Sequence, residues 1–196
     1  MIILPTSPAP NGATPELLDF GMILRPATGA PAQYFTRPGS RFQVQFAFPP
    51  MAPETARVFV SRLLLAKRDG LRMPYPLLGI NQGNPGAPLV NGGTSAGTSL
   101  LLKGLTPGYL IKEGFWLTVI DAAGVHYLHN VRALVAADSA GLATVTIEPP
   151  LRTVLANNNV VLLGRPLVEG IVTSVVNWPL PVNKLIDLGF TLEEAA

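Results

Sequence analysis

Punctuation limits this chain more than any other feature. Twenty prolines and 19 glycines are spread along 196 residues, and so dense a supply of helix breakers and turn formers excludes a helical bundle. It points instead to many short strands joined by tight connections. Between the breaks, Phe42, Val44, Phe46 and Phe48 alternate with Arg41, Gln43, Gln45 and Ala47, so residues 41–48 read as a strand with one aromatic and one polar face. Beyond Pro53, the residues Ala56, Phe59, Val60, Leu63, Leu64 and Ala66 recur at spacings of three and four. Glu54 suits the positive end of a helix dipole, Lys67 and Arg68 suit the negative end, and Gly70 supplies the stop, which predicts one helix over residues 54–69. Its Phe59, Leu63 and Leu64 are expected to pack on a sheet.

The flanking regions are more irregular. Pro5, Pro8, Pro10, Pro15, Pro26, Pro31 and Pro38 fall within residues 1–40, which read as an extended arm with one short strand near residues 20–24. Residues 71–98, LRMPYPLLGINQGNPGAPLVNGGTSAGT, carry proline, glycine and asparagine too often for a regular element of any length. They read as an insertion that adds little to the core and whose apolar residues dock on a partner. Strand-like segments then follow at residues 99–102, 115–120, 125–131, 142–148 and 160–163, with two more at 171–176 and 188–192. Such a series of short strands implies a barrel or sandwich. The expected organisation is a mainly β domain over 41–196, carrying one flanking helix and the inserted loop, behind the arm.

Composition adds a statement about surface. Charged residues make up 13% of the chain and hydrophobic ones 48%, against a usual charged fraction of about 25%, and surface short of charge is commonly covered by another subunit. A homo-oligomer is the expectation. A net charge of +2 creates no field that argues for nucleic acid. The chain has no cysteine, which removes disulfides and thiolate chemistry. No apolar run reaches the roughly 20 residues of a membrane helix, and the first residues, MIILPTSPAP, have no basic segment ahead of the apolar one, so a soluble, unprocessed, non-exported chain is expected.

Motifs that carry chemistry are weak throughout. Gly93-Thr94-Ser95-Ala96-Gly97 matches the nucleophile-elbow pattern, yet a glycine-rich loop precedes Ser95 and a strand-like segment follows it, where the elbow requires a strand and then a helix. His126 and His129 are the only histidines; three apart on a strand they face opposite ways, so they form no chelating pair and read as hydrogen-bonded strand residues. Arg132 and Arg152 beside Glu148 suggest ordinary ion pairs across the sheet. The glycines of the insertion lack the Lys-Ser or Lys-Thr and the helix start of a phosphate cradle. Trp116, Trp178 and Tyr127 sit in apolar stretches and read as core or interface anchors. No catalytic residue, cofactor or metal is expected.

Three stretches carry a resemblance: RFQVQFAFPPMAPETARVFVSRLLLAKRDG over residues 41–70, PGYLIKEGFWLTVIDAAGVHYLHNVRALVAADSAGLATVTIEPPLR over 107–152, and the closing GFTLEEAA. In the order and texture of these elements the chain resembles structural proteins of tailed-bacteriophage or prophage tails, and among them it is most similar to distal tail and baseplate ring proteins. The resemblance implies a β-sandwich or split barrel related to the tail-tube fold with one helix on its flank. It implies a non-enzymatic ring, typically a hexamer, at the distal end of the tail tube. The implied neighbours are the tail tube protein, baseplate hub or tip proteins and the tape-measure protein; phage DNA would pass through the lumen without specific binding, and nothing inserts into a membrane. The implied location is the virion tail, assembled in the bacterial host cytoplasm. In that family, arms and long loops bridge neighbouring subunits, which makes Tyr75, Leu77, Leu78, Ile80, Leu89 and Val90 of the insertion, Tyr34 of the arm and Trp178 of the tail the candidates for an assembly interface. The chain lacks the second, carbohydrate-binding-like domain of larger distal tail proteins, which favours an adaptor role over receptor binding. Another virion ring protein (tube, tail-completion or terminator) and a small-ligand-binding β-barrel are the alternative readings.

Overall fold

The alternating aromatic segment and the amphipathic segment after it form the expected strand and helix, and the rest of the molecule is arranged around them. In a computed structural model of the chain, all residues are described except Thr36, Pro38, Leu78, Ser95, Asn183, Lys184 and Ala196. In chain order the described residues form β1 (Ile2–Ile3), β2 (Gly12–Leu18), β3 (Met22–Leu24), β4 (Gln33–Phe35), β5 (Arg41–Ala47), the helix α1 (Pro53–Asp69), β6 (Leu71–Pro74) and β7 (Gly86–Val90). The second half adds β8 (Ser99–Leu105), β9 (Leu110–Ile111), β10 (Trp116–Ile120), β11 (His126–Val131), β12 (Val135–Ala136), β13 (Ala143–Glu148), β14 (Val161–Leu162), β15 (Leu167–Val172) and β16 (Gly189–Glu194). The fold is mainly β with a single helix among the described residues, as the punctuation demands.

One sheet runs in the order β1-β6-β15-β16-β5-β2. Phe46 pairs with Phe190, Val44 with Leu192, and Met73 with Val168, so these side chains share one face. Phe59, Leu63, Ala56 and Ala66 of α1 are buried in the same core, with Phe48 edge-on to Phe59 at 5.2 Å between ring centres. Burying a side chain such as Phe59 or Leu63 contributes about 1.5–3 kcal/mol. Pro53 opens the helix, and Gly70 closes it at φ 74°, where its N–H donates to Ala66 O at 2.9 Å. Leu64 departs from expectation: it is exposed, because the buried stripe runs through positions 56, 59, 63 and 66, and Leu64 lies outside it.

The second sheet runs β14-β10-β11-β13-β8-β7 and nearly closes on itself. Leu89 bridges Val160, and the Val90 N–H and C=O bond Asn159 O and Asn158 N at 2.9 and 3.0 Å. The result is a six-stranded barrel filled by Leu100, Leu102, Leu117, Val119, Val145 and Ile147, all fully buried, as a barrel of this size requires.

Two expectations about the irregular regions fail here. Residues 71–98 are not a loop standing apart from the core. β6 is a member of the first sheet and β7 closes the barrel, while buried Gln82 acts as a surrogate strand: its Oε1 accepts from Trp116 N at 2.7 Å and its Nε2 donates to Trp116 O at 2.8 Å and to Leu163 O. A side-chain amide offers the same donor and acceptor pair as a peptide group, so a segment with no strand periodicity still satisfies its neighbour. Nor are residues 1–40 one arm. β1 pairs parallel with β6, and β2 pairs along its whole length with β5 despite Pro15, which a sheet-edge strand accommodates. Only the hairpin β3–β4 stands apart, as its own two-stranded sheet.

Candidate functional site

Ionisable chemistry concentrates at the seam where the barrel meets the first sheet. Glu169 of β15 is buried, takes Arg72 Nε at 2.6 Å, and lies 3.0 Å from Nδ1 of His126, which also approaches Gly124 O at 3.1 Å. Burial, and then the Arg72 guanidinium, lower the His126 pKa, with Glu169 opposing them. Glu194 of β16 accepts Leu128 N at 2.6 Å, Phe42 N at 3.0 Å and Arg152 Nη2 at 2.7 Å. Thr118 completes the seam, its hydroxyl donating to Leu167 O at 2.6 Å and accepting from Leu167 N at 2.8 Å. Three side chains thus join two separately hydrogen-bonded sheets. Each buried carboxylate faces a buried or half-buried cation, the arrangement that makes charge tolerable in a low-dielectric interior.

His129 is fully buried, with Nδ1 2.8 Å from Pro149 O. The carbonyl places the ring proton on Nδ1 and leaves Nε2 without a partner in the protein. Burial and the nearby Arg152 charge hold its pKa down at about 3, because protonation would put a second cation beside a guanidinium in a site with no acceptor. Both histidines are buried and hydrogen-bonded within the protein, and they engage different partners. Arg132 pairs with Glu148 at 3.6 Å as expected. Arg152 does not; it turns into the seam toward Glu194, which is remote in sequence and gives no periodic signal. Among the described residues no group of three metal-ligating side chains comes together, and no helix is long and apolar enough to cross a membrane.

Ser95 lies outside the described residues. Its neighbour Thr94 bridges Leu155, and strand β8 follows at Ser99, so the helix that a nucleophile elbow needs is not there.

The interface candidates divide into buried and exposed sets. Tyr75 and Val90 are core residues at 6% and 1% exposure, Tyr75 against Trp116 at 4.4 Å and Val90 inside the barrel; neither is offered to a partner, because β6 and β7 are integral to their sheets. Leu77 packs against the first core and Leu89 is half-buried in the barrel closure. Leu78 lies outside the described residues. Ile80, Tyr34 and Trp178 are exposed.

Two larger apolar surfaces include Tyr34 and Trp178 respectively. The first is the hairpin, whose Phe20, Met22, Ile23, Leu24, Tyr34 and Phe35 are each 42–55% exposed. Its root is braced: Asp19 accepts from the Tyr34 hydroxyl, from Gly21 N at 2.8 Å and from Ser40 Oγ at 3.1 Å, and Arg41 sits 5.0 Å over the Phe20 ring. These bonds, that of Tyr34 foremost, lower the Asp19 pKa. The second is a groove of about 630 Å3 along the outer side of α1, lined by Val60, Leu64, Leu65, Trp178, Leu180 and Ile186 among others. Sequence reasoning found one residue in each surface and missed the rest, because a helix stripe and a proline-rich tail give no sign of which apolar residues stay uncovered.

No protein-family model matches this chain, and comparison with curated proteins finds no match either.

Proposed function

We propose that this chain is a non-enzymatic structural component of a tailed-phage virion, forming a ring, hexameric in the commonest arrangement, at the distal end of the tail tube where the tube meets the baseplate or tip. The observation that carries the reading is the quantity of exposed apolar surface outside both cores, on the hairpin and along α1. Isolated two-stranded hairpins are at best marginally stable in water, and patches of this kind mark sites of association. The order of elements over residues 41–70 and 107–152, which resembles the distal tail and baseplate ring proteins, supplies the particular assembly. On this reading the partners are further copies of the chain, the tube protein on one side and hub or tip proteins on the other, and DNA passes through the lumen without specific contacts. The barrel interior, filled by its own side chains, favours this over a ligand-binding barrel.

Light scattering on the purified chain, followed by negative-stain imaging of the same fraction, tests the proposal. A closed ring of about six copies supports it. A monomer at all accessible concentrations, with a small molecule bound, overturns it.

A further inference from the structure

We infer that a buried water molecule bridges His129 and Arg152 at the seam between the barrel and the first sheet, as a fixed member of the polar network centred on Glu194. This goes beyond the ring reading and does not depend on it.

Donors and acceptors carry it. Among the described residues, the buried side-chain nitrogens and oxygens without a partner in the protein are three, and all belong to this pair: Nε2 of His129, and Nε and Nη1 of Arg152. Buried polar groups in folded proteins are almost always satisfied, by the protein or by ordered water. His129 is at 0% exposure and the Arg152 side chain at 4%, so bulk solvent does not satisfy them. With its Nδ1 proton directed at Pro149 O, 2.8 Å away, His129 presents Nε2 as an acceptor. Arg152 commits Nη2 to Glu194 at 2.7 Å and keeps N–H groups on both of its other nitrogens, and a guanidinium offers donors only. The unmet groups are therefore complementary in kind.

Position brings them together. Tyr127 and His129 are alternate residues of β11 and project from the same face of it. The Arg152 guanidinium carbon lies 5.4 Å over the Tyr127 ring, and its charge is near enough to His129 to oppose protonation of the imidazole. The two side chains nevertheless do not bond each other. Water both accepts from an Arg152 N–H and donates to His129 Nε2. An anion has no proton to give Nε2 and would face the Glu194 carboxylate, and a metal cation would face the guanidinium. Water thus extends a chain of bonds from His129 through Arg152 to Glu194, which also accepts from Leu128 N at 2.6 Å and Phe42 N at 3.0 Å, so that β11 and β5 share one network.

A high-resolution crystal structure of the full-length chain tests this directly. The expected result is a single density peak within about 2.7–3.2 Å of both His129 Nε2 and an Arg152 nitrogen, and no anomalous signal at that place after a bromide soak. A direct Arg152 to His129 bond, an empty site or a bromide peak would each overturn the inference. His129→Leu, checked for folding by circular dichroism, removes the acceptor and supplies an independent reading. Water-oxygen magnetic relaxation dispersion, which counts internal waters of long residence, is expected to find at least one fewer in the variant than in the parent; an equal count shows that no water depends on His129 and sinks the bridge. Should the variant fail to fold, the crystal structure of the parent decides alone.

Discussion

The barrel and the hairpin are built from the same kinds of residue and have opposite fates. In the barrel, each strand finds a neighbour on both sides, the last edge is met by Asn158, Asn159 and Val160, and the interior is packed with side chains at or near zero exposure. In the hairpin, both outer edges are open and Ile23 and Tyr34, which face each other in the ladder, are more than half exposed. Closure abolishes edges and fills a core; a two-stranded ribbon does neither. What separates the two regions is how completely each satisfies itself. The region left unsatisfied, the hairpin, is part of the surface on which the proposed assembly rests.

That contrast can be broken at several points. The largest effect is expected from deleting residues 82–90, which removes the Gln82 bonds and the closing strand together; circular dichroism and heat denaturation should show loss of the cooperative fold, and survival of a cooperative transition would make this segment the appendage that its composition suggests. Next comes the seam. Glu194→Ala leaves Arg152 buried without its partner and two backbone N–H groups unpaired, a loss of about 3–5 kcal/mol in denaturant unfolding. Leu117→Ala in the barrel should cost about 2–5 kcal/mol, whereas Ile23→Ala on the hairpin should change stability by no more than about 0.5 kcal/mol; equal costs would erase the distinction between the regions.

Acid probes the seam in another way. The folded state refuses a proton at His129 until about pH 3, whereas the unfolded chain takes one near pH 6.5. The contribution of His129 to stability is therefore complete above pH 6.5 and is lost as pH falls from there toward 3. His126, whose pKa is also lowered, acts in the same direction from the same starting point. In His129→Asn, where the amide still donates toward Pro149 O, the slope of unfolding free energy against pH in that window should fall by up to about 1.4 kcal/mol per unit. An unchanged slope would show that His129 titrates normally.

Much of the fold is legible in local pattern. The aromatic alternation of residues 41–48, the spacing of Ala56, Phe59, Leu63 and Ala66 with Gly70 beyond, and the short strands from Ser99 onward each satisfy a periodicity that a single element imposes on its own residues. The candidate site is less legible, because it is made of what remains uncovered. Tyr75 and Ile80 belong to one apolar run, yet Tyr75 lies against Trp116 and Ile80 points to water. Leu63 and Leu64 are neighbours on one helix, and only Leu63 meets the sheet.

By itself, then, the sequence determined that this protein is mainly β with one helix, that it has no cysteine chemistry, and that its surface is short of charge, since each of these follows from residue type or short-range spacing. Only the tertiary structure decided that residues 71–98 belong to the core, that Arg152 meets Glu194 across 42 positions of chain, and that the arm shrinks to a single hairpin. Those outcomes depend on which strands pair and which edges stay open, and pairing joins residues whose separation in sequence carries no period.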